Sequence, residues 1–145
     1  MNSKWVSDIA DMHTKFGVNK VLRQLDRDKL EAFLKFRIDF LQEELDEMRK
    51  AVVDRQAGKI DASTAADDTV DALIDLCVVA IGTLNAFDVN ADEAWNRVHR
   101  ANMTKEVGIK ESRPNPLGLP DLIKPEGWKA PTHTDNVGML NKVFE

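Results

Sequence analysis

All five prolines of this chain (114, 116, 120, 125 and 131) fall between positions 114 and 131. The long stretch ahead of them lacks the one side chain that breaks a helix outright. Over residues 1–105 no segment alternates apolar and polar residues with enrichment in Val, Ile and Thr, so strands have little support and the region reads as helix throughout. A first helix is expected from about Ser3 to Phe16, stopped by Gly17 in a C′ position. A second begins near Asp26 or Asp28 and runs to about Arg55, with Gly58 as terminator. Its Leu30, Phe33, Leu34, Ile38, Leu41, Leu45, Met48 and Val52 keep the 3-and-4 spacing of one helical face. A third follows the cap candidates Asp61 and Ser63 and ends near Phe87. From Leu76 this helix is apolar almost all round, which implies burial on every side, in the domain centre or between subunits. A fourth, Ala91 to about Lys105, carries Trp95, Val98 and Met103, with Trp95 and Val98 read as core.

Beyond Lys105 the prolines and four of the seven glycines mark an irregular tail. The expected organisation is an all-α four-helix core over 1–105, assembled as an oligomeric bundle. A Pro/Gly-rich tail, 106–145, packs on that core or on a neighbouring subunit through Leu117, Leu119, Leu122, Ile123 and Trp128. A chain of 145 residues holds one hydrophobic core, not two. With 20 Lys plus Arg against 25 Asp plus Glu, the formal net charge is -5, a poor match to nucleic-acid backbone and a better one to cations. Cys77 is the single cysteine, read as a core thiol, and excludes an intrachain disulfide. The first fifteen residues show no apolar h-region. The run Leu76 to Leu84 is far short of the ~20 residues that span a bilayer. The expected setting is cytoplasmic, without membrane partners.

The acids are placed with purpose. On the second helix Glu43, Glu44 and Glu47 fall within a sector about 100° wide, while Asp46 points to solvent. Glu44 sits on the shoulder of the apolar stripe, and Phe33, Phe36 and Phe40 line the same flank, so the acids border an apolar wall. On the third helix Asp68, Asp71 and Asp75 group within about 60°. Carboxylates held close and partly desolvated must be protonated, paired or bound to a cation. Arg37, Arg49 and Lys50 are near enough to pair with some of them but cannot serve six. All-oxygen ligation favours Mg²⁺, with Mn²⁺ as substitute. A di-iron bundle wants Glu-x-x-His, and none of His13, His99 and His133 stands three residues after a Glu. A Nudix-type site wants an α/β frame, and no strands are visible.

Glu43-Glu44-x-x-Glu47, then an acidic helix some twenty residues on, resembles the all-α nucleoside triphosphate pyrophosphohydrolases, the MazG-like and phosphoribosyl-ATP pyrophosphohydrolase-like enzymes. Val70-Asp71-Ala72-Leu73-Ile74-Asp75-Leu76 with Ala80-Ile81-Gly82-Thr83 is similar to that family's third helix and its small-residue step. Val98-His99-Arg100-Ala101-Asn102-Met103-Thr104-Lys105 and Pro120-Asp121-Leu122 resemble the segments that follow, so the likeness covers roughly residues 1–125. The resemblance implies Glu43, Glu44, Glu47, Asp68 and Asp71 as metal ligands, with Glu43 or Glu47 orienting or deprotonating the attacking water. Asp68 stands where the family has the longer Glu, and Asp75 is an alternative or a supporting group.

The activity implied is Mg²⁺-dependent hydrolysis of a (d)NTP at the α–β phosphoanhydride, giving (d)NMP and pyrophosphate. Arg97, Arg100, Lys105 and Lys110 are candidates for the triphosphate charge, and Asn102 for phosphate or a base edge. Phe16 is a candidate pocket wall, and Trp128 a base platform. The resemblance further implies a homo-oligomer, dimer or tetramer. Phosphoribosyl-ATP is the alternative substrate. The contrasting reading is a non-catalytic helical protein whose acidic faces are solvated or dock a basic partner.

Overall fold

A computed structural model describes residues 3–112, 117, 118 and 121–145. The tail's Pro114, Pro116, Leu119 and Pro120 lie outside the described residues. The protein is mostly helical, as its proline-free first hundred residues allow. The four predicted helices are α1 (Lys4–Phe16), α3 (Arg27–Gln56), α4 (Ala62–Ala86) and α5 (Ala91–Met103). Two short helices add to them: α2 (Val18–Leu22), between the first two predicted elements, and α6 (Leu140–Phe144), in the tail. The tail is less irregular than expected, since β1 (Glu106–Gly108) pairs antiparallel with β2 (Asp121–Ile123), Glu106 opposite Ile123.

The helix ends follow local chemistry. Ser3 caps α1 by accepting from the Val6 N–H, and Gly17 stops it in the left-handed region at φ 72°. Asp26 caps α3 by accepting from the Lys29 N–H, and Asp61 caps α4 by accepting from the Thr64 N–H at 2.7 Å. The short connection over residues 57–61 makes α3 and α4 antiparallel neighbours.

Two compact units result: Met1–Ala91 with Val137–Glu145, and Asp92–Asn136. The core of the first is built from Leu22, Leu30, Ala86, Phe87, Val89 and Val143, with Phe33, Leu34, Leu84 and Met139 packed against it. Leu30 and Phe87 are wholly buried, and Phe33 meets Phe87 edge to face at 5.7 Å. The end of the tail closes this core: the Met139 N–H donates to the Phe87 carbonyl at 2.8 Å, and α6 buries Val143. In the second unit Trp128 Nε1 donates to the Ala101 carbonyl, and Arg97 forks onto Asp135.

Three expectations need correction. Within the chain α4 is not buried on every side: Leu76, Cys77 and Val78 are half-buried and Ala80 is exposed. It is, however, apolar and long enough over Ala62–Ala86 to cross a membrane by length and composition, although its uninterrupted apolar run is short. Its packing against α1 and α3, together with Asp68, Asp71 and Asp75 on one face, fits the central helix of a bundle. Val98, read as core together with Trp95, is exposed, and Trp95 is 72% exposed. Nothing in its own unit covers it.

Candidate active site

The antiparallel register of α3 and α4 decides which acids meet. Arg37 lies beside Gly82, its Nη1 3.8 Å from where a Cβ on that glycine would stand. Seven residues further along α3 is Glu44, and seven residues back along α4 is Asp75. Seven residues are close to two full turns, so both positions stay on the facing surfaces. Glu44 accordingly interacts with Asp75 and Asp71 across the interface and with Glu47 on its own helix.

Glu44 is the buried member, 8% exposed, and its Oε2 is shut from solvent without a hydrogen-bond partner. Burial pushes its carboxyl above the usual range, and the negative charges of Glu47, Asp75 and Asp71 push the same way. Glu47 and Asp71 are exposed, and Asp75 is half-buried. The cluster is therefore one desolvated carboxylate ringed by others that reach water.

The remaining predicted acids are placed differently. Glu43 is exposed on the outer flank of α3. Asp68, also exposed, makes no contribution at Glu44; its charge acts on Lys50, nearer the 57–61 connection. Lys50 itself pairs with the buried Asp54. Asp46 accepts from Gln42 Nε2, as befits a surface residue. Of the two aspartates that the sequence left open, Asp75 and not Asp68 is the one brought to Glu44.

Among the described residues no three carboxylate, His or Cys side chains are gathered tightly enough to hold an ion as they stand. The chemistry of the set nonetheless fits a hard divalent cation. The donors are all carboxylate oxygens, one of them buried and unpartnered, with the exposed Glu47 and Asp71 acting on it.

Behind the acids, between α1, α3 and α4, lies a polar group that spacing alone did not reveal. His13 is 3% exposed and donates from Nδ1 to Asn85 Oδ1 at 2.9 Å, while Asn19 Nδ2 donates to the Asn85 carbonyl. Gly82 lets α1 approach: a Cβ there would stand 3.3 Å from His13 Nε2. The signal in the sequence was the small-residue step at Gly82-Thr83.

The other candidates belong to neither α3 nor α4. Phe16 ends α1 with its ring exposed and Lys15 Nζ 5.4 Å above it. Asn102, Arg100, Lys105 and Lys110 all belong to the second unit. There Arg97 donates to both Asp135 oxygens, to Glu93 and to the Thr132 carbonyl, and the pairing with Asp135, then with Glu93, holds its pKa above the ordinary guanidinium value. Arg100 is exposed and 4.0 Å from Glu93, and Asn102 is exposed. Trp128 has Lys105 Nζ at 5.3 Å and Lys124 Nζ at 5.1 Å from its ring, so ammonium groups flank the face assigned to a base. A surface depression of about 760 Å³ opens there, lined in part by Arg97, Arg100, Trp128 and Lys129.

The match of the chain to a family model falls on this frame. Residues 20–102 match the model for phosphoribosyl-ATP pyrophosphohydrolase, a stretch that contains all of α3 and α4 and every acid of the cluster. The chain belongs to that family. It is thereby a member of the MazG-like pyrophosphohydrolase superfamily, and its activity is that of a pyrophosphohydrolase acting on a nucleotide. No curated protein matches the chain.

Proposed function

We propose that this pyrophosphohydrolase cleaves nucleoside triphosphates between the α and β phosphates, releasing a monophosphate and pyrophosphate. The observation that carries the reading is Glu44, a buried carboxylate with an unpartnered oxygen facing three further acids, in a chain of this family. A polyanionic substrate approaches such a cluster only with cations, and Mg²⁺, or Mn²⁺ in its place, supplies that charge and acidifies a bound water. Glu44, Glu47, Asp71 and Asp75 are the residues to hold it. Asp68 and Glu43 stand at the margins, and Glu43 or Glu47, each with an exposed carboxylate, is suited to accept a proton from water.

The apolar surface of α4 supports the further reading that the protein is a homo-oligomer, dimer or tetramer. A lone free cysteine and a net charge of -5 fit a cytoplasmic protein without nucleic-acid or membrane partners.

Product analysis tests the activity. Each NTP and dNTP is incubated with Mg²⁺ and the purified protein, in parallel with Glu44→Ala. Monophosphate and pyrophosphate from the parent alone are expected. Diphosphate plus orthophosphate would contradict α–β cleavage. The family's own description favours phosphoribosyl-ATP as a second reading, and turnover of that compound with none of any simple triphosphate would establish it.

A further inference from the structure

Two turns before Glu44, on the same face of α3, stands a charged residue that the acidic cluster does not use. Arg37 makes no ion pair and no hydrogen bond with any described residue. Its guanidinium lies over the Phe33 ring with Cζ 5.1 Å from the centroid, and its Nε is shut from solvent without an acceptor. Burial alone, with no anion opposing it, holds the guanidinium pKa below its ordinary value. A desolvated donor left unsatisfied is costly, and a side chain that packs on the Phe33 ring and beside Gly82 without a hydrogen bond loses none by turning toward a ligand.

The rings beside it point to the kind of ligand. Phe36 and Phe40 flank Arg37 on α3, their centroids 6.2 Å apart, and Phe33 follows at 6.5 Å from Phe36. Phe36 is 59% exposed, unusual for a ring on a helix that contributes to the core. Phe40 precedes Glu44 by one turn. Reading back along α3 from the carboxylates, the order is therefore a ring at one turn, then a ring with a guanidinium whose buried Nε lacks an acceptor at two, over about 10 Å. A phosphate has no use for phenyl faces. A nucleobase has use for both features, because its π-face stacks on an aromatic ring and its carbonyl accepts from a guanidinium.

We propose that Phe36, Phe40 and Arg37 form a nucleobase subsite on α3, in which the base stacks on the phenyl rings and a base carbonyl accepts from Arg37. The proposal rests on the reading of the substrate as a simple nucleoside triphosphate whose phosphates meet the acids, and turnover of phosphoribosyl-ATP alone, an adenine nucleotide, would overturn it. It sets a preference: uracil, thymine, guanine and cytosine carry a carbonyl, and adenine does not.

The test measures kcat/KM and equilibrium binding of the five nucleotides dUTP, dTTP, dGTP, dCTP and dATP, and binding of pyrophosphate alone, all with Mg²⁺. The full chain is compared with Arg37→Gln and Phe36→Ala, each checked for a parental thermal unfolding transition. Expected is at least a tenfold disadvantage of dATP in the parent. Arg37→Gln narrows that gap to threefold or less. Phe36→Ala weakens all five nucleotides, and pyrophosphate binding stays within twofold in both variants. Nucleotide and pyrophosphate binding falling together would mark Arg37 as a packing residue and overturn the subsite. Unchanged nucleotide affinity in both variants, with turnover intact, would overturn it while the hydrolase reading stands. Arg37-dependent binding of nucleotides without any turnover would do the reverse, and a parent that binds no nucleotide would sink both.

Discussion

At Glu44 burial and three neighbouring carboxylates act in one direction, against the charged form, and a divalent cation acts in the other. In metal-free protein Glu44→Gln removes the repulsion and keeps the shape, so its unfolding midpoint in EDTA should lie above the parent's. Mg²⁺ should then raise the parent's midpoint by mass action, worth about 2.7 kcal/mol at a hundred times Kd, and leave the variant's unmoved and its turnover lost. A parent indifferent to Mg²⁺ would favour the interaction-protein reading. His13 offers a separate check. Burial holds its imidazolium below the ordinary 6.5, the Arg37 charge adds to this, and the hydrogen bond to Asn85 opposes it. Because the folded value lies below the unfolded one, the unfolded chain takes up the proton first. The contribution of His13 is whole above pH 6.5 and is lost as pH falls from there toward the folded value. Urea unfolding at pH 7.5 and 5.5 should show a decline on acidification that His13→Gln makes smaller. Much at this scale was legible beforehand, since helical arithmetic put Glu44 on the shoulder of the core and grouped the aspartates. Arg37 was not, because a base near acids reads as their partner until its surroundings show that it has none.

Among the elements, the long helices were legible because their ends carry side-chain chemistry that acts locally: the Ser3 and Asp61 caps and the left-handed Gly17. The five-residue α2 and α6 were not, since so short a segment shows no period and forms only by tertiary contact. α6 makes the point sharply. It exists because Gly138, at φ 52°, lets residue 139 reach the Phe87 carbonyl; a Cβ at 138 would lie 2.0 Å from that oxygen. Gly138→Ala must therefore break the Met139 to Phe87 hydrogen bond and lift Val143 out of the core. The expected loss is about 2–5 kcal/mol, on the scale of a deleted core side chain, with α5 and the β1–β2 pair unaffected. Urea denaturation gives the magnitude, and hydrogen exchange of the 139–145 amides gives the location. Protection of those amides equal to the parent's would show that the backbone had found another route.

The whole molecule turns on α4, whose composition passes for a membrane span while its outer surface stays uncovered within the chain. Val70, Leu73 and Ile74 are all exposed on it, and Trp5 of α1, 54% exposed, lines a groove of about 260 Å³ together with Ile9, Ile74, Val78 and Ile81, with Asp8 as the charged member. An apolar surface of this kind, flanked by the acids of the proposed site, is suited to a second copy of the same helix. The sequence showed that α4 is apolar almost all round from Leu76 onward, but a single chain cannot say where its surplus face goes. Light scattering behind size exclusion should accordingly give a dimer or tetramer. Leu73→Glu, a change at an exposed position, should shift the population toward monomer while retaining the helical circular-dichroism spectrum. If turnover falls in step with dissociation, the assembly is part of the active site; if the monomer hydrolyses at the parental rate, oligomerisation serves only to cover α4. A parent that runs as a monomer would instead leave that face to a different partner and remove the oligomeric reading altogether.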